Sequence, residues 1–107
     1  MKTTKKYELT CTTKKLYGTT LFQIKALISF WNVEKWELGG YIEKEENLEQ
    51  ENNAWVYDDA VVSGNAVVSG NAWVYGNSRV YGNALVSGNA VVYGNAQVYG
   101  DDRVYSN

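Results

Sequence analysis

From Asn52 onward the chain repeats one pattern of apolar and polar positions every six residues, without a slip. The units read NNAWVY, DDAVVS, GNAVVS, GNAWVY, GNSRVY, GNALVS, GNAVVY, GNAQVY and GDDRVY. Valine holds the same place in all nine: Val56, Val62, Val68, Val74, Val80, Val86, Val92, Val98 and Val104. Two residues earlier sits a small residue, Ala54, Ala60, Ala66, Ala72, Ser78, Ala84, Ala90 or Ala96, with Asp102 in the ninth place. A stretch such as Ala72-Trp73-Val74-Tyr75 predicts a short strand. Strand side chains alternate faces, so Ala72 and Val74 point one way and Trp73 and Tyr75 the other. The Gly-Asn pair that follows predicts a corner, because glycine takes positive φ without cost and asparagine is the next most tolerant.

Strand and corner at this spacing suit either an antiparallel meander or a coil that keeps turning the same way. In a meander with two-residue turns, successive valines would fall on opposite faces, and Arg79, Gln97 and Arg103 would be mixed among them. A coil instead points every valine and every small residue inward. The predicted fold is therefore all β, with all strands of the repeat parallel. Three hexapeptides make one triangular coil of 18 residues, so nine units make three coils, stacked at about 4.8 Å. Amide columns such as Asn53, Asn71 and Asn89, or Asn65 and Asn83, are expected to form ladders along the stack.

The first half is less regular. Lys5 to Thr13 predicts a strand with Tyr7, Leu9 and Cys11 on one side, and Gly18 marks a turn. Residues 20–30 fit a strand through Phe22, Ile24, Ala26, Ile28 and Phe30, or a helix through Leu21, Ile24, Leu27 or Ile28, and Trp31. The frequent β-branched and aromatic residues favour the strand. A weak echo of the period links Phe30, Trp36, Ile42 and Leu48, with Gly40 at a small-residue place, and predicts a degenerate first coil over roughly Trp31 to Glu51. Leu48 to Val56 is two residues too long for the period and predicts a bulge or loop. The chain thus divides into an N-terminal β-rich cap, 1–51, and the repeat domain, 52–107. An open solenoid end invites aggregation, so Phe30, Trp31 and Trp36 are expected to plug one end, and Asp101, Asp102 and Arg103 to stop stacking at the other.

The spacing of an aliphatic residue and a small one four positions later, as in Val62 to Ala66 and Val86 to Ala90, resembles the hexapeptide-repeat superfamily. That resemblance implies a left-handed parallel β-helix. The Gly-Asn-Ala-x-Val-Tyr/Ser consensus, with the segment Leu38-Gly39-Gly40-Tyr41-Ile42-Glu43-Lys44-Glu45-Glu46-Asn47-Leu48 before it, looks most like short uncharacterised proteins of bacteria, prophages and phages. Hexapeptide folds also host acyltransferases and γ-class carbonic anhydrases, which implies a histidine as base or zinc ligand; this chain has none. No loop interrupts residues 52–105, where acyltransferases of the superfamily tend to build their sites. No enzyme activity, catalytic residue, cofactor or metal site is expected.

Composition narrows the partners. The chain has 107 residues and a net charge of −2, which argues against nucleic acid or an anionic membrane held by bulk charge. Proline is absent, leaving the backbone free for long ladders. Cys11 is the single cysteine, so no intrachain disulfide forms and a reducing compartment fits. It reads as a buried or half-buried small residue. The basic start, Met1 to Lys6, is followed by no apolar stretch, and no run reaches membrane-spanning length, so a cytoplasmic protein is expected. Asp58-Asp59 and Asp101-Asp102 read as corner residues rather than a calcium site, and the acidic run Glu43 to Glu51 as a solvated loop.

Folding the repeat by 18 sorts the outward positions into three faces. One carries Trp55, Trp73 and Val91 beside Tyr57, Tyr75 and Tyr93. The second carries Val61, Arg79 and Gln97 with Ser63, Tyr81 and Tyr99. The third carries Val67, Leu85 and Arg103 with Ser69, Ser87 and Tyr105. An uncharged aromatic patch of more than about 400 Å² is expected to bind something, and Trp and Tyr are favoured anchors. The six residues of the first face are thus the expected contact site. Its occupant is Lys5 to Phe30 of the same chain, another copy in a dimer or trimer, or a foreign protein. The phage resemblance makes a host protein, such as an antiviral defence complex, the foreign partner to expect. A self-assembling structural module, or a degenerate transferase relative that holds a small ligand, are the alternatives.

Overall fold

The computed structural model describes residues 5–106; Met1 to Thr4, at the start of the basic run, and Asn107 lie outside the described residues. Apart from a 3-10 turn at Glu45–Asn47, the regular structure described is all β. Three strands come first: β1 (Tyr7–Leu16), β2 (Thr19–Ala26) and β3 (Leu38–Ile42). The repeat supplies β4 (Trp55–Val56), β5 (Val61–Val62), β6 (Val67–Val68), β7 (Trp73–Val74), β8 (Arg79–Val80), β9 (Leu85–Gly88), β10 (Val91–Val92), β11 (Gln97–Val98) and β12 (Arg103–Ser106). Most are two residues long rather than four, because the corners begin directly after them. Gly76, for example, turns the chain with φ of 76°.

Pairing is parallel from β3 onward, as a coil requires and a meander forbids. The three faces are β4-β7-β10, β6-β9-β12 and β3-β5-β8-β11, and the last continues through β3 into β2 and β1. The result is a parallel β-solenoid of about four turns, whose first turn is built by β3, Leu48 and β4. Partners within the repeat are 18 residues apart, as Trp55 is from Trp73. At the top they are 20 apart, Tyr41 from Val61 and Leu48 from Val68. The two extra residues therefore fall between Leu48 and Trp55, as the spacing required.

The N-terminal half is an antiparallel hairpin, β1 with β2, and β2 then pairs antiparallel with β3. Residues 20–30 are strand only as far as Ala26. Phe30 then bridges Val33 in a separate antiparallel contact, so solenoid geometry begins at β3 and not at Trp31. Of the four residues in the weak echo, Ile42 and Leu48 are fully buried, Phe30 is half-buried and Trp36 lies exposed. Trp36 instead receives the ammonium groups of Lys25 and Lys35 on its ring, at 5.8 and 4.8 Å. It is not a plug.

Inside the coil the valines from Val56 to Val98 are buried, with the small row between them. Ser78 fits that row by donating its hydroxyl to the Tyr75 carbonyl at 2.8 Å. The lower end is open: Ala96 and Asp102 are exposed and Val104 is half-buried. Asp102 therefore lies in water, which removes the cost of burying a carboxylate at an inward position.

The upper end is closed by polar side chains as much as by apolar ones. Lys6 is buried, and its ammonium donates to the carbonyls of Asn52 and Ala54 at 3.2 and 2.7 Å. Gln50 accepts from the amides of Lys6 and Tyr7 at 2.7 and 3.2 Å. The Tyr7 hydroxyl donates toward the carbonyls of Glu45 and Leu48. The acidic run is only partly solvated: Glu46 and Glu51 are exposed, but Glu43 and Glu49, like Asp58 beyond the run, are used at this end. Glu43, Glu49 and Asp58 accept from the glycine amides of the turn below, those of Gly64, Gly70 and Gly76, at 2.7, 2.9 and 3.2 Å. Buried Asn47 accepts from the amides of Glu43 and Lys44 and donates to the carbonyls of Gly64 and Ala66. Lys6 and Asn47 thus give the carbonyls of Asn52, Ala54, Gly64 and Ala66 the donors that a regular coil above would supply, and the carboxylates give the corner amides an acceptor.

Corner glycines stack directly on one another. A Cβ on Gly82 would stand 2.7 Å from the Gly100 amide, whereas one on Gly100 meets nothing within 4 Å. Both residues have positive φ. Gly100→Ala is expected to cost about 1–2 kcal/mol from the left-handed backbone alone. Gly82→Ala should cost clearly more, as read from urea unfolding; equal losses would show that the columns have room for a methyl group.

Burial holds the Lys6 ammonium at about 8, below its ordinary 10.5, against the opposing pull of Glu49. Burial also holds the Tyr7 hydroxyl well above its ordinary value, with Glu45 and Glu46 adding to the effect. Above pH 8 the unfolded chain keeps the Lys6 proton that the folded chain has released, so this group's stability rises with pH. Its contribution is complete above 10.5 and absent below about 8. The Tyr7 contribution has the opposite sign, present below pH 10 and lost as pH climbs through its raised value. The urea midpoint is therefore expected to rise from pH 8 to 10, and Lys6→Met to remove the rise. A flat wild-type midpoint would mean that Lys6 stays charged in the fold.

Candidate functional site

The aromatic face is β4-β7-β10 with the tyrosines that follow each strand. Its top rung is not available to a partner. Trp55 is fully buried, with Tyr7 and Phe30 edge-on to its ring at 6.1 and 5.3 Å. Gly39 lies so close that a Cβ there would stand 2.9 Å from Trp55 Cζ2. The Trp55 indole N–H finds no hydrogen-bond partner. Trp55 therefore belongs to the core: the N-terminal strand and the Phe30–Val33 bridge fold over it, a contact that the repeat pattern does not encode.

Below Trp55 the face opens by degrees. Tyr57 is half-buried, edge-on to Trp73 at 5.8 Å and to Tyr75 at 6.4 Å. Burial, then the charge of Glu37, raises its phenol pKa. Trp73 is half-buried and is met by Trp31 at 6.2 Å. Tyr75 stacks on Tyr93 at 5.8 Å. Trp31, Tyr93 and Val91 are 66, 61 and 44% exposed. Trp31, expected as an end plug, thus extends this face sideways. Trp73 forms a ridge between two clefts. One of about 230 Å³ lies toward Trp31, Asn71 and Val91, and one of about 250 Å³ toward Tyr57, Asp58 and Tyr75.

The second face holds a feature that the sequence did not announce. The β1–β2 tip overhangs it, and Tyr17 and Gly18 both take positive φ there. The Arg79 guanidinium carbon lies 5.0 Å from the centre of the Tyr17 ring. A cavity of about 430 Å³ opens beneath the tip, lined by Tyr17, Thr19, Leu21, Val61, Ser63, Arg79, Tyr81 and Gln97, with Leu16 at its edge. Val61 points outward as the repeat predicts, yet it is buried, because Leu21 and the tip cover it. The only signal in the sequence was the Tyr17-Gly18 turn. The third face follows the same gradient, with Val67 and Leu85 half-buried and Arg103 exposed.

Other sequence candidates fall into structural places. Asparagine ladders form between Asn65 and Asn83 at 3.2 Å and between Asn71 and Asn89 at 3.3 Å. Cys11 is exposed rather than buried, because it lies in the stretch where a bulge between Leu9 and Thr13 breaks the pairing with β2. Among the described residues no group of three or more His, Cys, Asp or Glu side chains is placed to hold a metal ion. No helix of those residues is long and apolar enough to cross a membrane.

The family model of the YdcK beta solenoid repeat matches residues 54–70, 62–76 and 78–94. All three matches lie within the regular turns; they start at Ala54, Val62 and Ser78 and end at the corner glycines Gly70, Gly76 and Gly94. No curated protein matches the chain. The repeat, the parallel pairing and this match make the chain a β-helix repeat protein.

The uneven covering of the aromatic column has a measurable consequence. Trp55→Ala is expected to cost about 3–5 kcal/mol in chemical denaturation. Trp55→Phe should cost less, because it also removes a buried N–H with no partner. Trp73→Ala should fall below Trp55→Ala; equal losses at the two tryptophans would contradict the covering of the top rung.

Proposed function

We propose that this protein is a non-catalytic interaction module that docks on another protein through the open part of its aromatic face. The observation that carries the reading is Trp73, a half-buried ridge between two clefts with Trp31, Tyr75, Val91 and Tyr93 around it. Large aromatic anchors beside concave, partly desolvated ground are where binding energy concentrates. The solenoid serves as a rigid mount, since the strands are bonded from turn to turn and β7, which carries Trp73, is paired on both sides.

Charge favours a foreign partner over a second copy. Asp58 lines one cleft and Glu37 acts on Tyr57, while neither cleft is lined by a lysine or arginine. Two copies face to face would bring these carboxylates together. A partner that presents lysine or arginine among apolar side chains would instead set its cations over Trp31, Trp73 or Tyr93. In this reading the partner is a host protein, the chain a cytoplasmic, phage-encoded inhibitor of a defence complex, and the solenoid a left-handed member of the hexapeptide superfamily. The Gly-Asn-Ala-x-Val-Tyr/Ser consensus supports that part of the reading.

The test uses immobilised full-length protein in three forms: wild type, Val91→Lys with Tyr93→Lys, and a control, Tyr105→Lys, on the third face. All three sites are exposed, so native melting is expected throughout. A partner retained by wild type and control but lost on the double variant is the expected result. Equal recovery of every bound protein would remove this face as the site. A wild type that light scattering shows to be a stable dimer or trimer, and that the double variant turns into a monomer, would assign the face to self-contact instead.

A further inference from the structure

The second face carries an independent site. We propose that the cavity beneath the β1–β2 tip binds a small phosphate ester bearing a flat ring, of mononucleotide size. Arg79 would take the phosphate, and the ring would lie on Tyr81.

The shape of the cavity comes from an interrupted stack. Tyr81 and Tyr99 lie parallel, with centres 5.3 Å apart and planes within 10°. The same column holds Ser63 one turn higher, where a third tyrosine would continue the row. The missing ring is part of the space beneath the tip, which Ser63 and Tyr81 both line. An offset stack of aromatic planes is a favoured arrangement, so a planar ligand ring completes what the sequence leaves out. Buried Leu21 and Val61 form an apolar floor. Tyr81 donates its hydroxyl to Gln97 Oε1 at 3.1 Å, which leaves the Gln97 amide nitrogen to donate. At about 430 Å³ the cavity falls within the range of small-molecule sites, roughly 300–1,000 Å³.

The electrostatics select an anion. Arg79 has no carboxylate within ion-pair distance among the described residues, and Tyr17 holds it in place by a cation–π contact. A second hollow on its other side, about 460 Å³, is lined by Lys14, Lys15 and Asp59 with Asn77. Lys14 is itself set over the Tyr41 ring at 4.2 Å. Three cations thus face a single carboxylate, on a chain whose net charge is −2. A guanidinium presented over an aromatic ring, with its donors unspent, suits a phosphate or carboxylate better than any neutral group. Of the three cations only Arg79 lines the cavity itself; the lysines line the adjoining hollow, and their field beside Arg79 favours the more highly charged phosphate.

Titration of the full-length protein by calorimetry and by amide chemical shifts tests this with four probes: AMP, UMP, adenosine and ribose 5-phosphate. AMP or UMP should bind, with shifts confined to the tip, Ser63 and the Arg79 turn. Ribose 5-phosphate and adenosine should each bind at least tenfold more weakly. Arg79→Gln should weaken nucleotide binding at least tenfold and leave the weak adenosine response unchanged. Ser63→Tyr, which fills the missing rung and removes no proposed contact, should abolish binding while melting stays native. No binding of AMP or UMP at millimolar concentration would overturn the proposal. So would adenosine binding as tightly as AMP, or undiminished binding by Ser63→Tyr. The Val91→Lys, Tyr93→Lys variant should bind the nucleotide normally, which separates this site from the aromatic face.

Discussion

The backbone ladder between turns is the interaction on which everything else rests. Tyr57 donates to the Val74 carbonyl, Tyr75 to that of Val92 and Tyr81 to that of Val98, at 2.7 to 2.9 Å. The ladder demands that every turn have the same cross-section, and that demand explains the narrow core of one valine and one small residue per strand. It also makes the two ends the expensive places, since an unpaired and buried backbone group costs as much as a lost hydrogen bond. At the top Lys6 and Asn47 stand in for missing backbone donors, at the carbonyls of Asn52, Ala54, Gly64 and Ala66. At the bottom the ladder simply ends in water, with Ala96 and Asp102 exposed.

The regular part of this architecture was readable in advance because it is local and repeated. Six-residue spacing located the strands, the inward rows excluded a meander, and the offset at Leu48 placed the two extra residues. Contacts between distant segments were not readable in the same way. Whether Trp55 faces a partner or the core depends on where residues some 25 to 50 positions earlier fold back, and no period reports that. The acidic run misled for a related reason: a count of charges does not reveal that Glu43 and Glu49 face glycine amides. Bulk alone points to Phe30, Trp31 and Trp36 as plugs; Phe30 does pack at that end, but with Tyr7, while Trp31 and Trp36 lie exposed. The cavity beneath the β1–β2 tip was hidden for the same reason as the burial of Trp55.

One scaffold therefore presents outward columns with different chemistry. The aromatic column is uncharged at its centre and opens downward, from buried Trp55 to exposed Val91 and Tyr93. The neighbouring column carries Arg79 and a broken tyrosine stack beneath an overhanging tip. In both cases the N-terminal half does the differentiating, because it covers the upper rungs and leaves the lower ones bare. The repeat by itself would offer near-equivalent positions on every turn.

The stacking of corners has a consequence for how such a chain tolerates change in length. Its sequence unit is six residues, but vertical neighbours are 18 apart. Gain or loss of a single hexapeptide would rotate every later residue by one third of a turn. Tyr93 would leave the tyrosine column, and Arg79 would move out from beneath Tyr17. Gain of a whole turn would keep every column in phase and only lengthen the rod by about 4.8 Å, one strand spacing. Indels in multiples of three hexapeptides are thus compatible with the surface chemistry, while single-unit indels preserve the fold and scramble what it displays.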